Sequence, residues 1–428
     1  MAQAQIFIKK VLWKDDFLFP VAIWLISRIF IWATMLLVAP HLPQPPQGIV
    51  PSFGWGVFDA WDSIRYRSIV TSGYEFINNG QQYNIAFFPL FPLIIRALMN
   101  LGLPFTVAGV LVNNLAFLAA LYWLYFWVLK QLGTNEARWV IAVLAWCPLS
   151  LFGTVIYTEG LYLLSSTAAL YAFDRKQYVW TTFWGALATA TRPTGMALIP
   201  AFLIAAWRER RSPIAYLAAC ASAIGLLLFS LYCAINFADP IAFINAQRGW
   251  RPSFGFDWRG WLDMLLELAA GTSNWHNIQI KNLLHLLVFS SIVASSYILW
   301  RKYKQLSQTK IVYCLYAAIA FSLILADRQF INNLLNVTMV LGGGYFLWQS
   351  RKDLTSVTTC YGFCGIALLL ASGGTISLSR LAYGIVPLSL ALGTGLGHYP
   401  RLGFLMLGLF SILLARLAIS FAQNLWVG

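Results

Sequence analysis

Apolar runs of membrane-spanning length follow one another along nearly the whole chain, from Phe17 to Phe421, and short clusters of Lys and Arg separate them. Of the 428 residues, 59% are hydrophobic and only 10% are charged, against about 25% charged in an ordinary soluble domain. So few charges cannot cover a water-facing surface, and lipid must face much of it. A helix needs about 20 apolar residues to cross a bilayer. The first run, Phe17 to Val38, is too long for the apolar core of a cleavable signal and reads as a retained span.

The basic clusters orient the chain. Lys9, Lys10 and Lys14 place the N-terminus on the cytoplasmic side. The next cytoplasmic markers are Lys130 with Arg138, Arg175-Lys176, Arg208 to Arg211, Arg301 to Lys304, Arg351-Lys352 and Arg401. Markers on one side require an even number of crossings between them. Residues 86–131 hold two apolar runs, Phe87 to Leu101 and Thr106 to Leu129. Two crossings here would put Lys130 and Arg138 outside, so only the second run is expected to cross. The first carries Pro89, Pro92 and Arg96 and is expected to be a proline-broken segment that enters from the outer side without crossing.

The expected fold is therefore an all-α polytopic membrane protein with about 13 transmembrane helices. They are placed at 17–39, 106–129, 138–156, 159–173, 178–190, 194–207, 213–235, 281–300, 310–326, 331–348, 355–371, 381–397 and 402–421. Residues 1–428 form one transmembrane domain, with two long extracytoplasmic segments at 40–105 and 236–280.

The net charge of +14 does not signal nucleic-acid binding, because the Lys and Arg lie in short clusters between apolar runs. The six cysteines all sit inside apolar runs and read as small buried apolar residues. Cys360 and Cys364 are one helical turn apart, but no His or acidic residue accompanies them, so no metal site is implied. The 19 Trp and 19 Tyr suit membrane interfaces, and equally a sugar-binding cavity.

Charge beside a membrane is costly and needs a reason. On this topology the outer side collects Asp59, Asp62, Arg65, Arg67 and Glu75, then Glu159 and Arg192, then the charges of 236–280, and finally Asp327, Arg328 and Arg380. Carboxylates suit general-base chemistry, and arginines suit phosphate. In FDAWDSIRYRSIVTSGYEF, Asp59 and Asp62 are three apart and share a helical face with Tyr66. Plainer readings stand beside each of these. An interfacial amphipathic helix with Trp61 as anchor explains the first stretch. A helix N-terminal carboxylate explains Glu159. Snorkelling to headgroups explains Arg192 and Arg380, a local ion pair explains Asp327-Arg328, and an interfacial position explains His276. No HExxH, GxSxG or P-loop pattern is present.

These residues carry a family resemblance. WDSIRYRSIVTSGY followed by NIAFFPLFPLIIR resembles the first luminal loop of the PIG-V family of GPI mannosyltransferases and their prokaryotic relatives. CPLSLFGTVIYTEGLYLL, ALATATRPTGMAL and FINAQRGW resemble later elements of that family in the same order, and Arg380 with Pro387 is a weaker match. The resemblance implies a GT-C class glycosyltransferase. It would move a hexose, mannose in the family, from a polyprenyl- or dolichyl-phosphate sugar to a glycolipid or glycan acceptor at the outer leaflet, with inversion.

Asp62 is then the candidate base, Asp59 ranks second, and Glu159 falls where such enzymes place a further acidic residue. Arg192 and Arg380, with Arg248 behind them, are the candidates for the lipid phosphate. Trp61, Tyr66, Tyr157 and Trp250 are candidates for stacking on sugar, and Gln247 belongs to the Gln-x-x-Trp element. No cofactor or metal is implied, since a lipid phosphate leaves as a stable anion. The implied partners are membrane lipid, donor and acceptor, with no nucleic acid. The implied location is the plasma membrane of a prokaryote, with the active site extracytoplasmic. The competing classes are a lipid or solute transporter or scramblase without transferase activity, and a non-catalytic subunit of a membrane complex.

Overall fold

The computed structural model describes residues 2–251, 254–277, 279–306 and 310–428. The side chains of 2–14 and 302–306 lie outside that description, and with them the basic markers Lys9, Lys10, Lys14, Lys302 and Lys304. Among the described residues the chain is helical, and its β structure is one isolated bridge between Gly255 and Ser372.

The first apolar run forms α1 (Ala2–Ala33), prolonged to His41 by a π-turn and a 3-10 turn. Residues 40–105 carry α2 (Asp62–Ser72) and α3 (Leu90–Asn100). The bundle continues through α4 (Phe105–Gln131), α5 (Thr134–Trp146), α6 (Glu159–Asp174), α7 (Tyr178–Thr191), α8 (Leu198–Arg208), α9 (Pro213–Ala221) and α10 (Ile224–Phe237). Residues 236–280 hold α11 (Ala242–Asn245), α12 (Trp258–Ala270) and α13 (Thr272–Asn277). Then come α14 (Leu283–Leu306), α15 (Lys310–Leu325), α16 (Arg328–Val337), α17 (Gly343–Ser350), α18 (Ser356–Leu370), α19 (Leu378–Tyr383), α20 (Val386–Gly397) and α21 (Pro400–Ala422).

Among the described residues, six stretches are long and apolar enough to cross a bilayer: Asp15–His41, Phe105–Gln131, Pro213–Phe237, Leu283–Arg301, Arg328–Ser350 and Pro400–Ala422. Four shorter apolar helices accompany them. This is a multi-pass integral membrane protein.

Helix ends differ from expectation where proline or the bundle intervenes. The expected span 138–156 stops at Trp146, because Pro148 cannot continue the ladder, and Pro148–Gly153 winds as a 3-10 helix. The expected span 381–397 is two helices, and Pro387 sits in the first turn of α20 where its missing N–H costs nothing. The span 213–235 breaks between α9 and α10 at Ser222-Ala223. Pro89 and Pro92 do not break a helix, contrary to expectation. Pro89 precedes α3 and Pro92 lies in its first turn, where proline is tolerated. At 11 residues α3 is about 16 Å long, too short to cross alone.

The free carbonyls left by the break after α5 are met by Arg28, a residue the sequence analysis did not single out. Arg28 is buried in α1. It donates to the carbonyls of Ala145 (3.3 Å) and Ser150 (3.0 Å) and to Thr154 Oγ1 (2.7 Å). The Phe117 ring lies 4.7 Å from its guanidinium. In lipid every opened backbone group needs such a partner.

Antiparallel packing gives the bundle two distinct ends. At one, Tyr125 bonds Asp16 (2.5 Å), Gln131 bonds Asp174 (2.8 Å) and Asn135 bonds the Gly397 carbonyl (3.1 Å). The starts of α2, α6 and α19 and the C-terminal end of α7 meet at the other. There the segment 236–280 meets 40–105 where Phe243 packs on Phe88, with Phe229 of α10 against both, and is tied to the turn after α18 by Gly255 N–H on the Ala371 carbonyl (3.0 Å).

The six cysteines are unpaired, but not all are buried: Cys220 and Cys314 face outward from their helices. Asp327 does not pair with Arg328 as expected. It caps α16 through Phe330 N–H (2.7 Å) and meets His285 Nδ1 at 3.2 Å, because the cap position turns its carboxylate back along the chain. His276 is exposed, with Nδ1 3.0 Å from the Thr272 carbonyl.

Candidate active site

The first site residue owes its position to a strained turn. Trp61 has φ 61°, which an L-residue other than glycine rarely adopts. The kink sends the indole onto Trp426, ring centroids 5.1 Å apart and edge-on, and makes Asp62 the first residue of α2. Asp62 N–H donates to the Tyr157 hydroxyl at 3.3 Å. Its Oδ2 accepts from Arg380 Nη1 at 2.7 Å, across 318 positions of sequence.

Asp59 faces elsewhere. Its Oδ1 accepts from Ser63 Oγ at 2.7 Å, its Oδ2 pairs with Arg67, and Arg67 in turn lies over the Phe105 ring. Asp59 therefore braces the start of α2.

The second carboxylate is set by helix contact. Gly160 lies so close to α4 that a Cβ there would sit 2.2 Å from the Asn113 carbonyl oxygen. Asn113 Oδ1 accepts the Gly160 N–H at 2.7 Å, while its amide donates to the carbonyls of Phe152 (2.7 Å) and Val155 (2.6 Å). Glu159, at the head of α6, is thus clamped with no solvent exposure. Its Oε1 takes Arg192 Nη1 at 2.7 Å and lies 3.6 Å from Arg380 Nε, while its Oε2 has no partner among the described residues. Arg192 stands in extended backbone before Pro193, so α7 ends there and the guanidinium turns inward. Arg192, Glu159, Arg380 and Asp62 form one chain of alternating charge. Neither arginine snorkels to headgroups as the plainer reading had it: both are held inside the bundle on carboxylates.

These groups line a cavity of about 360 Å³. Of the residues singled out from sequence, Asp62, Tyr66, Tyr157, Glu159, Arg192, Gln247, Trp250 and Arg380 line it. Burial, reinforced by Asp62, pushes the Tyr66 hydroxyl above its usual pKa, so it stays protonated. Tyr157 lies 5.1 Å from the Arg380 guanidinium, and Trp250 packs edge-on against Phe87 at 5.8 Å. Asp59, Trp61 and Arg248 do not line the cavity. The short turn Ala246–Gly249 explains the last: it points Gln247 inward and leaves Arg248 exposed.

Among the lining residues that the sequence analysis did not name as site residues are Arg251, Ser372 and Trp426. Arg251 had a visible signal, a charge beside the aromatic Trp250. Trp426 and Ser372 had none. Arg251 Nη1 donates to Ser372 Oγ at 2.5 Å, and burial, with Arg380 nearby, pulls its pKa down to about 10, still fully charged at neutral pH.

A family model described as mannosyltransferase (PIG-V) matches residues 19–246. A search of curated proteins finds no match. Among solved structures, the fold is similar to the Archaeoglobus fulgidus oligosaccharyltransferase complexed with Zn and sulfate (TM-score 0.45, 12% identity, covering 95% of this chain and 53% of that one). It is also similar to AglB of the same organism with an inhibitory peptide and a dolichol-phosphate (0.45, 11%, 96% and 56%). A third similar structure is ArnT from Cupriavidus metallidurans bound to undecaprenyl phosphate (0.39, 12%, 94% and 77%). The chain thus spans about half the length of the archaeal oligosaccharyltransferases.

Proposed function

The chain belongs to the mannosyltransferase (PIG-V) family, and from that membership we propose that it transfers a hexose, mannose, from a polyprenyl-phosphate sugar to a lipid-linked or glycan acceptor. In this reading it is a GT-C type enzyme working at the extracytoplasmic face of the membrane. One observation carries the proposal: Asp62 faces a cavity of about 360 Å³ shared with arginines and aromatic rings. The basic residues Lys130, Arg175 and Arg208 to Arg211 end or follow helices at the opposite end of the bundle, which supports the assignment of the face.

The chemistry is a single displacement. The acceptor hydroxyl oxygen attacks the anomeric carbon while Asp62 takes its proton. The bond from that carbon to the phosphate oxygen breaks, and its electron pair leaves on the lipid phosphate. One displacement inverts the anomeric centre. A carboxylate in hydrogen-bond reach contributes about 10²- to 10⁴-fold to such a step. Arg380 holds Asp62 in place and Tyr157 bonds the backbone beneath it. Glu159, enclosed between two guanidiniums, serves as their counter-ion and not as the base. Tyr66, Tyr157 and Trp250 offer ring faces to the sugar.

The test is transfer by purified protein given polyprenyl-phosphate hexoses and candidate acceptors. Asp62→Asn is expected to lose about 10³-fold in rate, with unfolding temperature little changed. Transfer surviving in Asp62→Asn overturns the base assignment. Sugar-lipid flux across liposomes without transfer favours a transporter.

A further inference from the structure

The cavity is not electrically neutral. Its charged lining is Asp62, Glu159, Arg192, Arg251 and Arg380. Both carboxylates are already matched, Glu159 by Arg192 and Asp62 by Arg380, each at 2.7 Å. Arg251 is the surplus cation. It enters no ion pair among the described residues.

Its guanidinium is held by one nitrogen only. Nη1 donates to Ser372 Oγ (2.5 Å) and to the Gly374 carbonyl (3.4 Å). Nε and Nη2 have no protein acceptor among the described residues. Those two N–H groups form the parallel edge that grips two oxygens of one phosphate. The residue is also fixed in place, because the Gly255–Ser372 bridge ties its segment to the turn that holds Nη1.

Withdrawing an unmatched charge from water costs free energy, and an anion recovers it. An anion approaching Arg192 or Arg380 must compete with a carboxylate already at 2.7 Å. One approaching Arg251 competes with nothing charged, and in a low-dielectric cavity that difference is large.

We infer that Arg251 receives the phosphate of the lipid-phosphate donor, while Arg192 and Arg380 hold the two carboxylates in place. The inference rests on the proposed function and moves the phosphate away from Arg192, Arg380 and Arg248, the residues favoured from sequence. A single surplus charge also matches a phosphodiester, which carries one negative charge.

The experiment compares binding of a short-chain polyprenyl phosphate with that of the matching polyprenol, using the full chain in nanodiscs and thermal shift as readout. The affinity ratio isolates what the phosphate contributes. Arg251→Gln is expected to cut that ratio about 10- to 100-fold and to leave polyprenol binding alone. Arg251→Lys, which keeps the charge and loses the fork, should retain part of it. A wild-type ratio in Arg251→Gln overturns the assignment.

Wild-type protein provides a second measurement should the Gln variant fail to fold. Polyprenyl phosphate, but not polyprenol, should protect Arg251 from phenylglyoxal, read by mass spectrometry. Equal modification with both ligands overturns the inference. Wild-type protein that binds the phosphate no better than the alcohol refutes the donor reading itself. A preference that survives Arg251→Gln refutes only the role of Arg251.

Discussion

The two long segments 40–105 and 236–280 meet over the same cavity but are anchored differently. The first is built into the bundle: Tyr66, Ile69, Val70, Phe91 and Ile95 are buried in its main core. The second has a light footing. Ala242, Phe243 and Ala246 sit in a small cluster, Trp261, Met264 and Leu268 reach the main core, and Phe254, Phe256, Trp258 and Leu262 stand exposed. A carboxylate that must meet an acceptor hydroxyl within hydrogen-bond reach needs a rigid mount. In the proposed function a residue that grips a lipid phosphate needs a fixed guanidinium, which the Gly255–Ser372 bridge supplies within an otherwise lightly anchored segment. The first segment therefore carries Asp62, and the second carries Trp250 and Arg251.

That contrast predicts where substitutions act. The largest effect on stability belongs to the first segment. Phe91→Ala removes a ring with no solvent exposure and is expected to cost about 3–5 kcal/mol, seen as a lowered unfolding temperature. Phe254→Ala in the second segment, where the ring is exposed, should leave that temperature where it was. Equal losses in the two variants break the comparison.

Next in size is Trp250→Ala. Its half-buried ring lines the cavity, so the expected result is a rise in donor or acceptor KM of about 10-fold at unchanged kcat, measured by steady-state transfer. A fall in kcat at unchanged KM places Trp250 with the reacting atoms and breaks the division of labour.

The smallest effects separate bracing residues from cavity residues. Asp59→Asn loosens a half-exposed pair with Arg67, worth about 0–1 kcal/mol, and should change the transfer rate far less than Asp62→Asn. Arg248→Ala removes an exposed charge and should change neither stability nor transfer. A large rate loss in either variant means that the cavity-facing set is wrongly drawn.

Much of this was legible beforehand, for a physical reason. Hydropathy reports where a helix lies in lipid, so 106–129 was read and Phe105–Gln131 was found. It is blind to hydrogen-bond geometry, so the breaks after Trp146, at Ser222 and at Gly384 passed unnoticed inside apolar runs. Arg28 did carry a signal, a charge within the first apolar run. Its partners Ser150 and Thr154 are 122 and 126 positions away, and no local pattern points to them. Asp59 and Asp62 look equivalent by spacing. The strained backbone at Trp61 separates them, and the ring it sets down packs on Trp426, at the opposite end of the chain.

The amino-acid order by itself determined that the chain lives in a bilayer and which short stretches bear family motifs. These follow from local free energies: transfer of apolar runs into lipid, and the cost of charge within it. Only the tertiary structure decided which charges neutralise one another. Asp62 met Arg380, Glu159 met Arg192, and Arg251 was left without an ion pair among the described residues. Pairing depends on the distances between helix ends brought together by packing, and those distances are not written in the spacing of residues along the chain.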